Sequence, residues 1–216
     1  MKEEEKGVGK LILVRHGTSA WNDKGLWTGR KNPPLTRRGM EEIKNLGKKL
    51  LGEKITIDYT YTFPLKRCEQ TLRIIIGETK QTPIIKKPRA LIERNYGIYT
   101  GKNKWEIQKK LGPKKFKELR RGWNVPIPRG ETLKDVYARE IPYYKKEILP
   151  KLKGQKNIMI VSSNNALRAI IKYIEKIPVE KIPHVELTTG EARIYTIDSR
   201  GSVLRKKIIN KNKRKV

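Results

Sequence analysis

The triplet Arg15-His16-Gly17 directly follows an apolar run at residues 11–14. An apolar strand that ends this way sets a guanidinium and an imidazole where open α/β sheets bind ligands, beyond the carboxyl ends of their strands. An imidazole beside cations suits phosphoryl transfer, which needs a nucleophile, positive charge around three equatorial oxygens and an acid for the leaving oxygen. Every role has a candidate in this chain. His16 is the candidate nucleophile, Arg15 and Arg67 the forked donors that clamp the phosphoryl oxygens, and Glu93 the general acid and base. A single histidine after a strand is as readily structural, so the motifs downstream decide.

Those motifs are Ser19-Ala20-Trp21-Asn22, Trp27-Thr28-Gly29-Arg30, Leu65-Lys66-Arg67, Glu93-Arg94-Asn95-Tyr96-Gly97 and Arg120-Arg121-Gly122. In this order, over residues 8–205, the chain resembles the cofactor-dependent phosphoglycerate mutases of the histidine phosphatase superfamily. The resemblance assigns nucleophile, clamp and acid to the same four residues. It also carries ligand contacts onto Asn22, Thr28, Gly29, Arg94, Asn95, Tyr96, Lys104, Arg120 and Arg121. The last two would form a second cationic clamp away from His16, which a ligand with several negative charges requires. The implied reaction interconverts 2-phosphoglycerate and 3-phosphoglycerate, primed by 2,3-bisphosphoglycerate and without a metal. Thr18 stands where those mutases carry Glu and Asn95 where many carry His, while Gly130-Glu131-Thr132-Leu133 resembles the turn of the compact bacterial form.

One departure bears on activity. Members of the family place a second histidine after a later strand, in a run close to Ala-His-Gly-Asn-Ser-Leu-Arg. Here that run is Ser162-Ser163-Asn164-Asn165-Ala166-Leu167-Arg168, so Ser163 replaces the imidazole and Asn164 the glycine. Ser163 is retained as a catalytic candidate, with Asn164 and Asn165 as binding candidates. Losing one donor to developing charge costs about 10² to 10³ in rate. Three readings stand: a working mutase, a slow histidine-type phosphatase acting on another phosphoester, and an inactive homologue that binds anionic ligands. His184, the other histidine, reads as a surface or supporting residue.

Composition sets the wider bounds. The chain has 216 residues, 51 Lys and Arg against 22 acidic residues, and a formal net charge of +29. Such charge favours anionic partners, and phosphorylated metabolites, non-specific nucleic acid and anionic membranes all remain open. No nucleic-acid recognition module is present. The single cysteine, Cys68, fits a reducing compartment and reads as a buried structural thiol. No apolar run approaches the roughly 20 residues that span a bilayer, so a cytoplasmic location without membrane contact is expected. Family members often form homo-oligomers, and no metal-ligand cluster is visible.

The elements that position these residues follow from periodicity. Strand signals fall at residues 11–14, 59–62, 158–161 and 193–197. Thr36 caps a helix with Met40, Ile43, Leu46 and Leu50 on one face, an amphipathic pattern runs over 133–148 past Pro142, and another helix follows Val161. This alternation predicts a three-layer α/β/α sandwich around a mostly parallel sheet, phosphoglycerate mutase-like in form. One domain is expected over 10–205, preceded by a polar extension at 1–9 and followed by a basic tail at 206–216. Residues 83–130 read as an insertion that caps the site with two short helices, bringing Lys104, Arg120 and Arg121 to it.

Overall fold

The computed structural model describes residues 7–210. Six strands form one sheet in the order β3-β2-β4-β1-β5-β6. β1 (Gly9–Arg15), β2 (Tyr59–Thr62), β3 (Ile84–Lys86) and β4 (Ile158–Ser162) run parallel, while β5 (Ala192–Ile197) and β6 (Val203–Ile209) add an antiparallel hairpin. The helices are α1 (Ala20–Asp23), α2 (Arg37–Gly52), α3 (Lys66–Thr79), α4 (Lys104–Arg121), α5 (Leu133–Tyr143), α6 (Leu149–Lys153) and α7 (Asn164–Ile174).

Side chains that alternate along a strand face opposite sides of a sheet. Ile12 and Val14 of β1 enter the core beneath α2 and α3, with Ile43, Leu46, Leu72 and Ile75. Leu11 and Leu13 enter the other core, with Tyr144, Ile148, Leu152, Leu167 and Ile170. Both faces of the sheet are therefore covered, as the three-layer reading requires.

Thr36 caps α2, accepting from the Gly39 amide. The loop after β1 then lies directly on α2's first turn, because Gly17 and Gly39 leave room for it. A Cβ on Gly39 would sit 2.1 Å from the Thr18 carbonyl oxygen, and one on Gly17 would sit 2.4 Å from that of Gly39. This contact fixes where His16 begins.

Two strands lack a sequence signal. β3 is three residues long with Ile84 and Ile85 exposed, so the edge of the sheet starts inside the segment expected to be wholly cap. β6 corrects the expected tail: Lys206 pairs with Tyr195 and Ile209 with Ala192, so residues 206–209 are sheet. Its outward Arg205, Lys206 and Lys207 mask the strand pattern while protecting an open edge. The rest of the tail from 211, and residues 1–6 of the polar extension, lie outside the described residues. Gly9, placed in that extension, opens β1. α5 runs through Pro142, and the helical path continues by one wide turn at Tyr144–Ile148 into α6.

Glu140 on α5 has no solvent exposure, and neither carboxyl oxygen has a hydrogen-bond partner. Burial pushes its pKa well above the usual 4.5, with Glu93 and Glu131 adding to the shift and Arg139 opposing it. Above pH 4.5 the unfolded chain releases a proton that the folded chain keeps, so this group subtracts stability as pH rises from there toward its folded value. Glu140→Leu is expected to raise the melting temperature by a few degrees at pH 8 and by much less at pH 4.5. A difference between the two proteins that did not change with pH would contradict this account.

Candidate active site

A small cleft of about 50 Å³ opens at the carboxyl ends of β1 and β4, roofed by α4. Adjacent strands place the two central positions side by side: Arg15 is in register with Ser162, and the His16 amide donates to the Ser162 carbonyl at 3.1 Å. His16 and Ser163 each follow immediately.

His16 is almost fully buried. Its Nδ1 lies 2.7 Å from the Gly17 carbonyl oxygen. A carbonyl only accepts, so the proton sits on Nδ1 and the Nε2 lone pair faces the cleft side, where Arg67 Nε donates to it at 3.2 Å. Burial, then the charges of Arg67 and Arg15, hold the imidazole's pKa well below 6.5. The ring is neutral, with its Nε2 lone pair available for attack.

Arg67 is fixed at the start of α3 by backbone carbonyls. Its Nη1 donates to Lys31 O at 2.7 Å and its Nη2 to Gly29 O at 2.8 Å. Ser163 Oγ accepts from Nε and Nη2 at 3.3 and 3.2 Å. Arg15, at the end of β1, donates through Nη1 to Leu187 O. Glu93 is buried, with Oε1 accepting from the Arg94 amide at 2.6 Å and Oε2 from the Asn165 amide in the first turn of α7 at 3.2 Å.

The second clamp comes from both ends of one bent helix. A straight 18-residue α4 would span about 27 Å and hold its ends apart. Leu111-Gly112-Pro113 prevents that, since Pro113 lacks an amide hydrogen and Gly112 adopts φ 75°. The two halves fold over the cleft as expected, and Lys104, Arg120 and Arg121 all line it. Beneath them, Trp27 meets Tyr96 at a ring separation of 4.6 Å and Phe116 at 6.0 Å, in a small core that also contains Ile107, Leu119 and Ile127.

Asn22, Thr28, Gly29, Tyr96 and Asn164 also line the cleft. Three expected binding residues do not. Arg94 is wholly buried, and its guanidinium donates to the carbonyls of Glu131, Leu119 and Val125, stapling the cap loops. Asn95 lies on the outer side, bonded to the Arg129 carbonyl and the Gly97 amide. Asn165 braces the site from behind, donating to Tyr96 Oη at 2.6 Å and accepting from Arg168 at 2.8 Å. In each case a loop carbonyl or a neighbouring side chain outcompetes the cleft for a short polar group. His184 is exposed and does not line the cleft. Buried Cys68 has its thiol pKa raised to about 11 by burial.

Two residues of the site are not among the expected contacts. Trp27 lines the cleft with its indole N–H buried and unpartnered, as Thr28 Oγ1 and Asn164 Nδ2 also are. Glu186 bridges Arg121 and Arg15, the latter at 3.8 Å, and so holds two guanidiniums together. Orphaned donors and converging cations make this a site for an anion. Among the described residues no group of three or more His, Cys, Asp or Glu could hold a metal ion, and no helix is long and apolar enough to cross a membrane.

Residues 11–210 match the model of the histidine phosphatase superfamily, branch 1. The chain belongs to that superfamily. Two curated relatives are named 2,3-bisphosphoglycerate-dependent phosphoglycerate mutase. The protein from Bradyrhizobium diazoefficiens is 42% identical over 197 residues, 91% of this chain and 95% of that protein. The one from Parvibaculum lavamentivorans is 37% identical over 200 residues, 92% and 95% of the two chains. Among solved structures, an alpha-ribazole phosphatase from Shigella flexneri superposes with a TM-score of 0.74 at 24% identity, over 91% of this chain and 94% of that one. A mycobacterial glucosyl-3-phosphoglycerate phosphatase, complexed with VO3, gives 0.74 at 18% identity over 93% and 97%. Those two likenesses establish a shared fold.

For a histidine phosphatase the neutral state of His16 has a direct consequence. Its imidazole resonance, assigned by loss in His16→Ala, is expected to stay in the Nδ1–H neutral form through pH 6.5 and to protonate only in more acid solution. Titration near pH 6.5 would show that burial and the charges of Arg67 and Arg15 do not govern the ring.

Proposed function

We propose that this protein is a cytoplasmic phosphoglycerate mutase that interconverts 2-phosphoglycerate and 3-phosphoglycerate through a phosphohistidine at His16, in glycolysis and gluconeogenesis. The observation that carries this reading is the pairing of a neutral, buried Nε2 with two sets of cations in one cleft. Arg15 and Arg67 border the nucleophile, and Lys104, Arg120 and Arg121 of α4 line the same cleft. A phosphate and a second anionic group on one small molecule satisfy both. The names of the two mutase relatives support the same substrate class.

Orphaned buried donors at Trp27, Thr28 and Asn164 fit a highly charged phosphoester, and those residues with the clamps would hold 2,3-bisphosphoglycerate. When bound, that compound supplies the phosphoryl group that primes His16. Nδ1–H stays on the Gly17 carbonyl, which leaves Nε2 as the nitrogen that takes the phosphoryl group. Glu93, anchored by two backbone amides, gives a proton to a departing oxygen and takes one from an attacking hydroxyl. Arg67 cannot swing away, because carbonyls pin both of its terminal nitrogens, so its charge meets the phosphoryl oxygens without reorganisation.

Ser163 favours a second reading, a slow phosphatase, since a hydroxyl brings no positive charge to the reacting group. Turnover of 3-phosphoglycerate with and without 2,3-bisphosphoglycerate decides between them. The expected result is isomerisation that depends on the bisphosphate and falls by at least about 10³ in His16→Ala. Release of inorganic phosphate without isomerisation would replace the mutase reading with the phosphatase one.

A further inference from the structure

A wider groove beside the end of α7 and the β5–β6 turn offers no orphaned group, because Tyr195 and Lys206 both bond to the Glu175 carboxylate there. The catalytic cleft does. Asn164 is the first residue of α7 and lines the cleft while only 6% exposed. Its Oδ1 accepts from the Leu187 amide at 3.1 Å. A backbone N–H can only donate, so this bond fixes which end of the amide is oxygen and which is nitrogen. Nδ2 is buried and has no partner in the protein.

A buried donor left unpaired is unfavourable. Glycine or alanine would avoid that penalty at this position. The neighbouring hydroxyl is already engaged: Ser163 Oγ accepts two N–H groups from Arg67. The α7 amino terminus adds its own partial positive charge, and the next amide, of Asn165, already serves Glu93. A phosphoryl group on its way to or from His16 develops charge on oxygens that Arg15 and Arg67 do not enclose from every side.

We propose that Asn164 is a catalytic residue whose Nδ2–H donates to an oxygen of the phosphoryl group in transit, doing with a neutral amide what the replaced second imidazole does in the mutases this chain resembles. The assignment rests on the phosphoryl-transfer reading above. In the step itself the His16 Nε2 lone pair forms the N–P bond as the bond from phosphorus to the substrate oxygen breaks. That oxygen keeps the bonding pair and takes the proton carried by Glu93. Asn164 holds a hydrogen bond throughout and transfers no proton.

The test compares the full chain with Asn164→Ala, Asn164→Asp, Ser163→His and the Asn164→Ala/Ser163→His pair. Two quantities are measured: the single-turnover rate of His16 phosphorylation from 2,3-bisphosphoglycerate, and the affinity for inorganic vanadate by calorimetry. Asn164→Ala is expected to slow phosphorylation by about 10² to 10³ and to weaken vanadate binding by at least about tenfold. Asn164→Asp keeps an acceptor for the Leu187 amide, so it reports on the lost donor where the alanine variant fails to fold. Ser163→His is expected to speed phosphorylation by a factor at least about tenfold larger in the Asn164→Ala background than in the parent, since one donor then covers for the other. A purely structural Asn164 would not be rescued that way. Phosphorylation and vanadate affinity within about threefold of the parent in both Asn164 variants would overturn the assignment. A parent chain that never phosphorylates His16 would overturn the mutase reading instead, and vanadate affinity would still decide the role of Asn164.

Discussion

The site is organised by a buried positive charge that has no counter-charge. Arg67 is about 1% exposed, and among the described residues no carboxylate pairs with it. Its N–H groups go to two loop carbonyls, to Ser163 and to His16 Nε2. Taking a lone charge out of water is costly, and carbonyl dipoles offset only part of that cost. An anion entering the cleft would complete the balance. Burial first, and then this same guanidinium, keeps the imidazole beside it neutral, so in the proposed reaction the charge that draws a phosphoryl group also helps preserve the lone pair that attacks it.

Much of the surrounding fold serves to hold Arg67 and its partners in place. The Gly29 and Lys31 carbonyls belong to the loop that also brings Trp27 and Thr28 to the cleft, so one stretch of backbone anchors the guanidinium and lines the ligand space. Glu186 does for Arg15 and Arg121 what the carbonyls do for Arg67. Two guanidiniums that are 12% and 9% exposed would repel each other, and one bridging carboxylate allows the two clamps to share an edge of the cleft. Arg94 acts further out, joining the carbonyls of three cap segments so that the roof has a fixed height above His16. Stability and chemistry are thus carried by different arginines.

The sequence made legible those features in which one local rule decides the outcome. An apolar strand followed by Arg-His-Gly puts His16 at the carboxyl end of an interior strand, and Leu111-Gly112-Pro113 bends the cap helix so that Lys104 and Arg121 reach one cleft. Features decided by competition between distant groups were not legible. Arg94, Asn95 and Asn165 carry the right chemistry for ligand contact, yet carbonyls and side chains from the cap and α7 claim them. Glu186 sits in a short irregular segment, and only the convergence of β1 with the end of α4 gives it two cations to bridge. β6 was hidden because its outward face is basic, and composition alone reads such a segment as a solvated tail.

The excess charge is unevenly neutralised. Elsewhere on the surface some lysines meet carboxylates, as in Lys44 with Glu41, Lys87 with Glu69 and Lys207 with Glu53. On the cap, Lys109, Lys110, Lys114, Lys115 and Lys117 are exposed, and among the described residues none forms an ion pair. Isolated surface pairs contribute little to stability, so the cap sacrifices little by leaving these charges open. Their effect lies at longer range. In the proposed function, a ligand with several negative charges would be drawn to the roof of the cleft over a distance set by ionic strength, roughly 8 Å under physiological salt. Once inside, it would meet Arg67, Arg15 and the α4 arginines, where solvent screens less. The open charges of the cap would then act on encounter and the buried ones on transfer, so a strongly basic protein can keep the imidazole of His16 uncharged.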